Sequence, residues 1–191
     1  MSVLFRPALR TDARDIARLF QISSEGGADY IWSLIALPGE DLLDVGAIRY
    51  AREGVNFSYE NCLIAEAGGR VIGMMHSYVM LDDPDPEPVT DPVLAPYADM
   101  EVAGTLYISS LALHEGWRNL GLGAQFLEHA RKRCCELGLT GLSLIDYAAN
   151  SGARRFYERH GFKIVKTCQI TPHPMIRVTG EAYLLHWQAP L

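Results

Sequence analysis

Apolar residues recur along the chain with two periods, and the changes between the periods divide it into strands and helices. Seven segments have the alternating or continuously apolar pattern that is typical of strands: residues 3–9, 61–67, 70–81, 105–113, 142–147, 162–168 and 178–187. Five segments carry apolar residues at the spacing of one helix face: residues 12–23, 28–37, 42–53, 120–137 and 151–160. This order predicts a mixed α/β sheet with helices on both faces.

Capping residues, glycines and prolines mark the ends of these elements. Thr11 or Asp12 is expected to cap the first helix. Gly68-Gly69 predicts a hairpin turn, and Gly161 suits the position after a helix that requires a positive φ. Residues 82–101 hold five prolines and seven acids without a Lys or Arg, so they cannot bury enough apolar surface to fold alone. They predict a loop over the domain.

One junction between a strand and a helix combines the features of an anion site. The segment Arg118-Asn119-Leu120-Gly121-Leu122-Gly123 follows the strand at residues 105–113. The first four N–H groups of a helix have no intrahelical partner, and the macrodipole adds partial positive charge, so a phosphate is stabilised there. We therefore predict that the amides from Leu120 to Ala124 bind a phosphate group, with Arg118 adding a charge-assisted contact.

Three phosphate-binding patterns compete at this loop, and residue spacing separates them. A mononucleotide P-loop requires Gly-Lys-Ser/Thr, which is absent. A dinucleotide fingerprint requires a third glycine where this chain has Phe126, and it should open the fold, so Asp146 is only a weak candidate for a ribose ligand. The third pattern is Arg118-x-x-Gly121-x-Gly123 after a strand that ends Ser-Leu-Ala-Leu.

The third pattern resembles motif A of the GCN5-related N-acetyltransferases, the GNAT superfamily, where it binds the pyrophosphate of acetyl-CoA. A second segment, Asn150-Ser-Gly-Ala-Arg-Arg-Phe-Tyr-Glu-Arg-His-Gly-Phe162, resembles motif B of the same superfamily and follows in the same order. The resemblance covers most of the chain. It implies a GNAT fold in a single domain: a mixed, mostly antiparallel central sheet with splayed middle strands and helices on both faces.

The resemblance also implies which residues bind the cofactor. Leu111, Ala112 and Leu113 match the strand whose backbone groups pair with the pantetheine arm, and an N–H near them would polarise the acetyl carbonyl. Asn150 matches an asparagine that contacts the pantetheine, and it also suits a helix N-cap. Tyr157 matches the tyrosine whose hydroxyl faces the cofactor sulfur, where a phenol can donate a proton to the leaving thiolate. From the helical spacing alone, Tyr157 is one more residue of an apolar stripe.

The general base is the least determined group. Some relatives use a glutamate on the central strand, and its position falls near Thr105, which cannot serve. Glu101, Tyr107, Asp146 or a chain of waters remain as alternatives, and Glu101 is preferred.

The acceptor side is expected in the helices that follow the first strand. On their apolar pattern, Tyr30 and Trp32 are core residues, whereas the resemblance implies that they contact substrate. The acidic segment at residues 82–101 would attract an ammonium group, although such segments are commonly solvated surface.

Composition narrows the class of protein. A chain of 191 residues with 49% hydrophobic and 21% charged residues suits one buried core and one domain. It has neither an apolar run of about 18 residues nor a signal-peptide pattern, so we expect a soluble cytoplasmic protein without a membrane partner. Residues 1–117 carry a net charge of −11 and residues 118–191 carry +5. This asymmetry suits a polyanionic cofactor and a cationic acceptor, and the net charge of −6 disfavours nucleic acid.

The four cysteines do not form a metal or disulfide pattern. Cys62, Cys134, Cys135 and Cys168 lie in predicted strands and a helix without CxxC spacing, so they are expected to be core thiols. His173 follows Cys168 but stands alone between two prolines, and no metal is predicted.

These observations predict an acetyl-CoA-dependent N-acetyltransferase that acts on a primary amine, a small cationic metabolite, by direct attack in a ternary complex. The alternatives are a non-catalytic acyl-CoA-binding or sensor module, and acetylation of a protein or peptide amine. The length of the acyl chain and the oligomeric state stay open, and a homodimer would be typical of the family.

Overall fold

Seven strands and five α-helices follow one another in the computed structural model, which describes residues 2–83, 85 and 87–190. The strands are β1 Leu4–Pro7, β2 Cys62–Ala67, β3 Arg70–Val79, β4 Thr105–Leu113, β5 Gly141–Tyr147, β6 Lys163–Gln169 and β7 Glu181–Gln188. The helices are α1 Ala13–Ser23, α2 Gly27–Ser33, α3 Leu42–Tyr50, α4 Leu122–Glu136 and α5 Ser151–Arg159. This order confirms the one predicted from the apolar pattern.

The strands are arranged in the order β1-β2-β3-β4-β5-β7-β6. The pairs β1/β2, β2/β3, β5/β7 and β7/β6 are antiparallel, and β4/β5 is parallel, so the mixed, mostly antiparallel sheet is confirmed. The parallel ladder joins Thr105–Tyr107 to Gly141–Ser143 and ends there, whereas β5 stays paired with β7 as far as Tyr147. The early end of this ladder agrees with the splayed middle strands that the family resemblance implies.

The chain forms two compact units. Unit 1 comprises the described residues up to Ser77 together with Ser110–Phe126, and unit 2 comprises Tyr78–Ser109 and the described residues from Leu127 onwards. The division passes through β3, β4 and α4, so each of these elements contributes residues to both units. The single domain expected from chain length stays a prediction.

The core of unit 1 is built from aromatic and aliphatic side chains of α1, α2, α3, β2 and β3. The predicted buried face of α1 is confirmed, since Ile16, Leu19 and Phe20 are buried. The Phe20 ring packs against Trp32 and Tyr50, with centroid distances of 6.1 and 5.7 Å. Gly46 lies beneath the Trp32 ring, and a Cβ at this position would overlap it. Close contact between α2 and α3 therefore requires this glycine.

Asp12 precedes α1 as expected, but its carboxylate does not cap that helix. It accepts hydrogen bonds from the Leu9 N–H at 2.7 Å and from the Arg6 guanidinium at 2.7 and 3.0 Å. Arg6 also donates to Glu66 of β2 at 2.7 Å. The capping prediction was wrong for the side chain because a charged partner on β1 competes with the helix amides for the carboxylate.

The core of unit 2 includes part of the predicted acidic loop. Met100 is fully buried among Ile170, Val178, Ala182 and Leu184. The described residues from 82 to 101 have no helix or strand beyond the short 3-10 turn Ala95–Tyr97, so the loop is confirmed for them, while Pro84 and Pro86 lie outside the described residues. Among the helices of the described residues, none has the length and apolar character that a bilayer crossing requires.

Candidate active site

The predicted phosphate loop of unit 1 is exposed from Arg118 to Gly121. Asn119 and Gly121 have φ values of +61° and +78°, which turn the chain between β4 and α4. The helix begins at Leu122, two residues later than Leu120, the predicted start, because a residue with positive φ cannot continue a right-handed helix. The loop is therefore longer than its apolar pattern indicates.

The amides at the start of α4 are available to a ligand. The Gln125 N–H donates to the carbonyl oxygen of Gly121, the last residue of the loop, at 3.3 Å. Within the described part of the chain, no acceptor is found for the amides of Leu122, Gly123 and Ala124. A Cβ at Gly121 would have no heavy atom within 4 Å, so space is open above this turn. These features are the ones that an anion site at a helix N-terminus requires.

Arg118 and the end of β4 flank this loop. The Arg118 Nε donates to the Leu113 carbonyl oxygen at 3.1 Å, which holds the guanidinium beside the strand end. Ala112 is buried, and Leu111 and Leu113 are half-buried. Gly73 allows β3 to lie close to Leu113 and to the Ala112 carbonyl, since a Cβ there would lie 2.9 Å from that oxygen. The three residues predicted to meet pantetheine thus lie in a tightly packed strand.

In unit 2, α5 carries Tyr157, and Asn150 directly precedes the helix. The Asn150 side chain accepts from the Ala153 N–H at 3.2 Å, which confirms the N-cap role. Gly161 follows the helix with φ of +80°, as predicted. The Tyr157 ring packs against Phe156 and Phe162 at centroid distances of 5.1 and 5.5 Å. Burial, followed by the negative charge of Asp146, raises the pKa of the Tyr157 phenol above its ordinary value.

Asp146 lies near the end of β5 and is 5% exposed. Its Oδ2 is buried, and no hydrogen-bond partner is found for it among the described residues. Burial raises the pKa of the carboxyl to about 6, although the Tyr147 N–H and the Arg154 charge act in the opposite direction. Glu158 repels the carboxylate and raises the pKa further. The pKa of this carboxyl is therefore well above the ordinary value for an aspartate but still below neutral pH.

Four tyrosines and Glu101 form a second polar group in unit 2, which we call the tyrosine cluster: Tyr78, Tyr97, Tyr107 and Tyr147 with Glu101. The Tyr78 and Tyr107 rings pack edge to face at 5.5 Å. Burial raises the pKa of Tyr107, and the neighbouring phenols and Glu101 raise it further. Partial burial and the charge of Asp83 also raise the pKa of Glu101. Glu101 is exposed, so the cluster has a charged group at a solvent-facing position.

Comparison with known proteins identifies the family. The model of the Acetyltransferase (GNAT) family matches residues 30–162, which include both motifs. The chain belongs to this family. It is accordingly an acyltransferase, as the two sequence motifs indicate.

Solved structures of other acetyltransferases have the same fold. An N-acetyltransferase from Staphylococcus aureus Mu50 is 18% identical and has a TM-score of 0.68 over 96% of this chain and 100% of that chain. The ribosomal-protein-S18-alanine N-acetyltransferase from Escherichia coli is 16% identical, with a TM-score of 0.63 over 100% and 96%. The PaiA N-acetyltransferase from Thermoplasma acidophilum, in complex with coenzyme A, is 16% identical, with a TM-score of 0.58 over 98% and 99%. These similarities confirm the predicted fold class.

Thr105 is the residue near which the family resemblance places the glutamate of some relatives. It is fully buried, and its Oγ1 donates to the Val102 carbonyl oxygen at 2.7 Å and lies 2.7 Å from the Ser143 Oγ. The hydroxyl therefore links β4 to β5 and to the segment before β4.

Two predicted acceptor residues of this GNAT member lie in the core of unit 1. Trp32 is 1% exposed and Tyr30 is 7% exposed, in agreement with the core role that their apolar pattern indicates. Their contact with substrate stays a prediction.

Sequence reasoning missed Tyr78, Tyr97 and Tyr147, because nothing in the local pattern relates these three residues to Tyr107.

The titratable residues of the described chain do not form a metal centre, since no group of three or more His, Cys, Asp or Glu side chains among them has suitable geometry. Cys62 and Cys134 are buried, Cys168 is half-buried and Cys135 is exposed. The core-thiol prediction is therefore wrong for Cys135, which falls on the solvent face of α4 because it is adjacent to the buried Cys134.

Proposed function

We propose that this protein transfers the acetyl group of acetyl-CoA to a primary amine by direct attack of the amine on the thioester. The observation that carries the proposal is the exposed turn of motif A, which leaves the amides of Leu122, Gly123 and Ala124 without acceptors in a chain of the GNAT family. The Thermoplasma acidophilum relative was solved with coenzyme A, which supports this cofactor.

Unit 1 would hold the cofactor mainly through its backbone. The amides of residues 120–124 would bind the diphosphate, and Arg118 and Asn119 would lie beside it at the exposed turn. The backbone of residues 111–113 would pair with the pantetheine amides. Because backbone groups make these contacts, apolar side chains at Leu111, Ala112 and Leu113 are compatible with recognition of a polar cofactor.

Unit 2 would supply the proton for the leaving group. Tyr157 has a raised pKa, so its phenol stays protonated at neutral pH and can donate a hydrogen bond to the developing thiolate. The same raised pKa makes Tyr157 a weaker acid than a free thiol, whose pKa is about 8.5. Complete proton transfer therefore requires a second group that returns a proton to the phenolate.

The tyrosine cluster supports a small cationic amine as the acceptor. An ammonium group is attracted to the faces of aromatic rings and to a carboxylate, and the cluster offers both through Tyr78, Tyr107 and Glu101. The Escherichia coli relative is named for an alanine of a ribosomal protein, so a peptide amine is the second candidate. Asn150 would contact the pantetheine in addition to capping α5.

Release of the CoA thiol tests the proposal. Acetyl-CoA is incubated with the protein and separate panels of small primary amines and of peptides with free N-termini, and thiol release above the hydrolysis background is measured. Turnover with a small amine supports the proposal. Turnover with peptides alone would mean that the acceptor is a peptide amine rather than a small amine. Tight CoA binding without turnover in either panel would instead identify a binding module. Calorimetry that detects no CoA binding at millimolar concentration would contradict the cofactor assignment.

A further inference from the structure

Asp146 interrupts an otherwise apolar column of β5. Side chains two residues apart share a face of a strand, so Asp146 lies on the same face as Leu142 and Leu144, which are both buried. A carboxylate oxygen at such a position normally has a hydrogen-bond donor, because burial of an unpaired polar atom is costly. The Asp146 Oδ2 has none among the described residues. This exception points to a role that involves a proton or a ligand.

The groups around Asp146 come from α5, β5 and β7. From α5, the charge of Arg154 attracts the carboxylate and Glu158 repels it. The carboxylate charge in turn raises the pKa of the Tyr157 phenol on the same helix. From β5, the Tyr147 N–H donates to the carboxylate. Tyr183 of β7 is the register partner, and the Arg154 guanidinium lies 5.8 Å from its ring centroid. The carboxyl thus has one attractive charge, one repulsive charge and a neighbouring phenol.

We propose that Asp146 is the catalytic base of acetyl transfer, and that Asp146 and Tyr157 together move one proton from the amine nitrogen to the CoA sulfur. This inference rests on the proposed acetyltransferase function and assigns the base of that reaction. It gives Asp146 the base role for which the sequence favoured Glu101.

The proposed proton transfer is balanced. The bound ammonium first loses one proton to solvent. The lone pair of the resulting neutral amine forms the C–N bond, and the Asp146 carboxylate takes the second proton as it leaves the nitrogen. The carbonyl then re-forms, and the C–S bond breaks with its electron pair on sulfur. The Tyr157 hydroxyl gives its proton to the sulfur, and the proton held by Asp146 passes to the Tyr157 oxygen through an intervening water. The products are an amide and a free thiol, and both residues return to their initial protonation states.

The acidities of the groups favour this route. A carboxyl with a pKa of about 6 is ionised at neutral pH, so it can accept a proton, and it is also more acidic than a thiol with a pKa of about 8.5. Net transfer from the Asp146 carboxyl to the thiolate is therefore favourable, with Tyr157 as the intermediate donor.

Glu101 has surroundings that suit a different task. Its charge acts on Tyr78 and Tyr107, and it is exposed to solvent. A carboxylate in that position suits attraction of an ammonium group rather than proton exchange with Tyr157. The two acids thus make separable contributions, one to acceptor binding and one to the chemical step.

Steady-state kinetics of the full chain over pH 5–9 compares Asp146→Asn, Glu101→Gln and a control, Glu136→Gln, which removes an exposed carboxylate of α4. We expect Asp146→Asn to lower kcat about 100-fold and to abolish the rise in rate near pH 6, with the CoA Kd unchanged. Glu101→Gln should raise the acceptor KM and retain the rise, and Glu136→Gln should match wild type. Retention of kcat and of the rise in Asp146→Asn, or loss of the rise in Glu101→Gln, would overturn the proposal.

A carboxyl NMR titration of wild-type protein keeps the test independent of how well the variant folds. The resonance that is absent from Asp146→Asn should titrate near pH 6, and titration near pH 4 would overturn the proposal. The acetyltransferase function fails separately, if wild-type protein releases no thiol with any amine. Activity in wild type together with unchanged kinetics in Asp146→Asn would leave the function intact and remove Asp146 from its mechanism.

Discussion

The predicted phosphate loop of unit 1 and the residues of unit 2 that we propose for proton transfer are built in different ways. The proposed diphosphate site depends on consecutive backbone amides from Leu122 to Ala124 in the first turn of α4, which directly follows the exposed turn at residues 118–121. The proposed roles of Asp146 and Tyr157 depend on side chains from a strand and a helix, and burial raises the pKa of both groups. Substitutions in the loop should therefore change cofactor affinity, whereas substitutions in unit 2 should change the chemical step.

Replacement of Tyr157 by Phe should change the chemical step most strongly while leaving cofactor affinity unchanged. The variant keeps the ring contacts with Phe156 and Phe162 but removes the proton donor, so we expect kcat to fall about 100-fold with the CoA Kd unchanged. Steady-state kinetics and calorimetry measure the two quantities. Tyr59→Phe removes a hydroxyl that binds Glu53 in unit 1 and should match wild type. Equal losses in kcat and CoA affinity for Tyr157→Phe would show that the comparison is wrong.

Replacement of Gly121 by Ala should have the opposite signature. A Cβ at φ of +78° costs about 1–2 kcal/mol, so the turn shifts and CoA binding weakens about 5- to 30-fold, with a smaller change in kcat. Gly116→Ala is the matched control, because that glycine also has open space around it and lacks a positive φ. Calorimetry with CoA compares the variants. Equal affinity of the two variants would indicate that the turn does not hold the diphosphate.

The pH dependence of stability reports on Asp146 without any ligand. The folded pKa of about 6 is above the ordinary value of 3.8, so the native state binds the proton more strongly and loses stability as pH rises from about 4 to about 6. Asp146→Asn should therefore be more stable than wild type at pH 7–8, on the order of 1–2 kcal/mol after solvent screening, and equal to it at pH 4. Urea unfolding at both pH values measures this. A stability difference that does not change with pH would contradict the buried ionised carboxylate.

Replacement of Arg118 by Gln should produce the smallest effect. The guanidinium is exposed and binds the Leu113 carbonyl through Nε, so its contact with a diphosphate is screened by water and salt. We expect CoA affinity to fall about two- to fivefold at low ionic strength, and the difference from wild type to disappear at 1 M salt. Calorimetry at the two salt concentrations tests this. A loss larger than that of Gly121→Ala would mean that side-chain charge, rather than backbone geometry, dominates cofactor binding.

The order of the strands and helices, and the turns and caps of the candidate site, can be predicted from short segments of the sequence. The strand from Thr105 to Leu113 was predicted with its observed boundaries, and the turn at Gly161 and the cap at Asn150 were also correct. Each depends on residues within about one helical turn. The capping role of Asp12 was wrong because its partner Arg6 lies on another element. Helix α4 begins at Leu122, two residues after the start that the apolar spacing predicts, because Gly121 has a positive φ that a right-handed helix does not accommodate.

The sequence by itself determined the order of elements, the motif A turn and the family of this protein. These properties follow from residue spacing and from the conformations that glycine and capping residues allow in short segments. Only the tertiary structure decided that the Asp146 Oδ2 lacks a partner among the described residues, and that four tyrosines gather near Glu101. Burial and electrostatic interactions add up over side chains that are distant in the sequence, so their consequences for acidity appear only after the chain has folded.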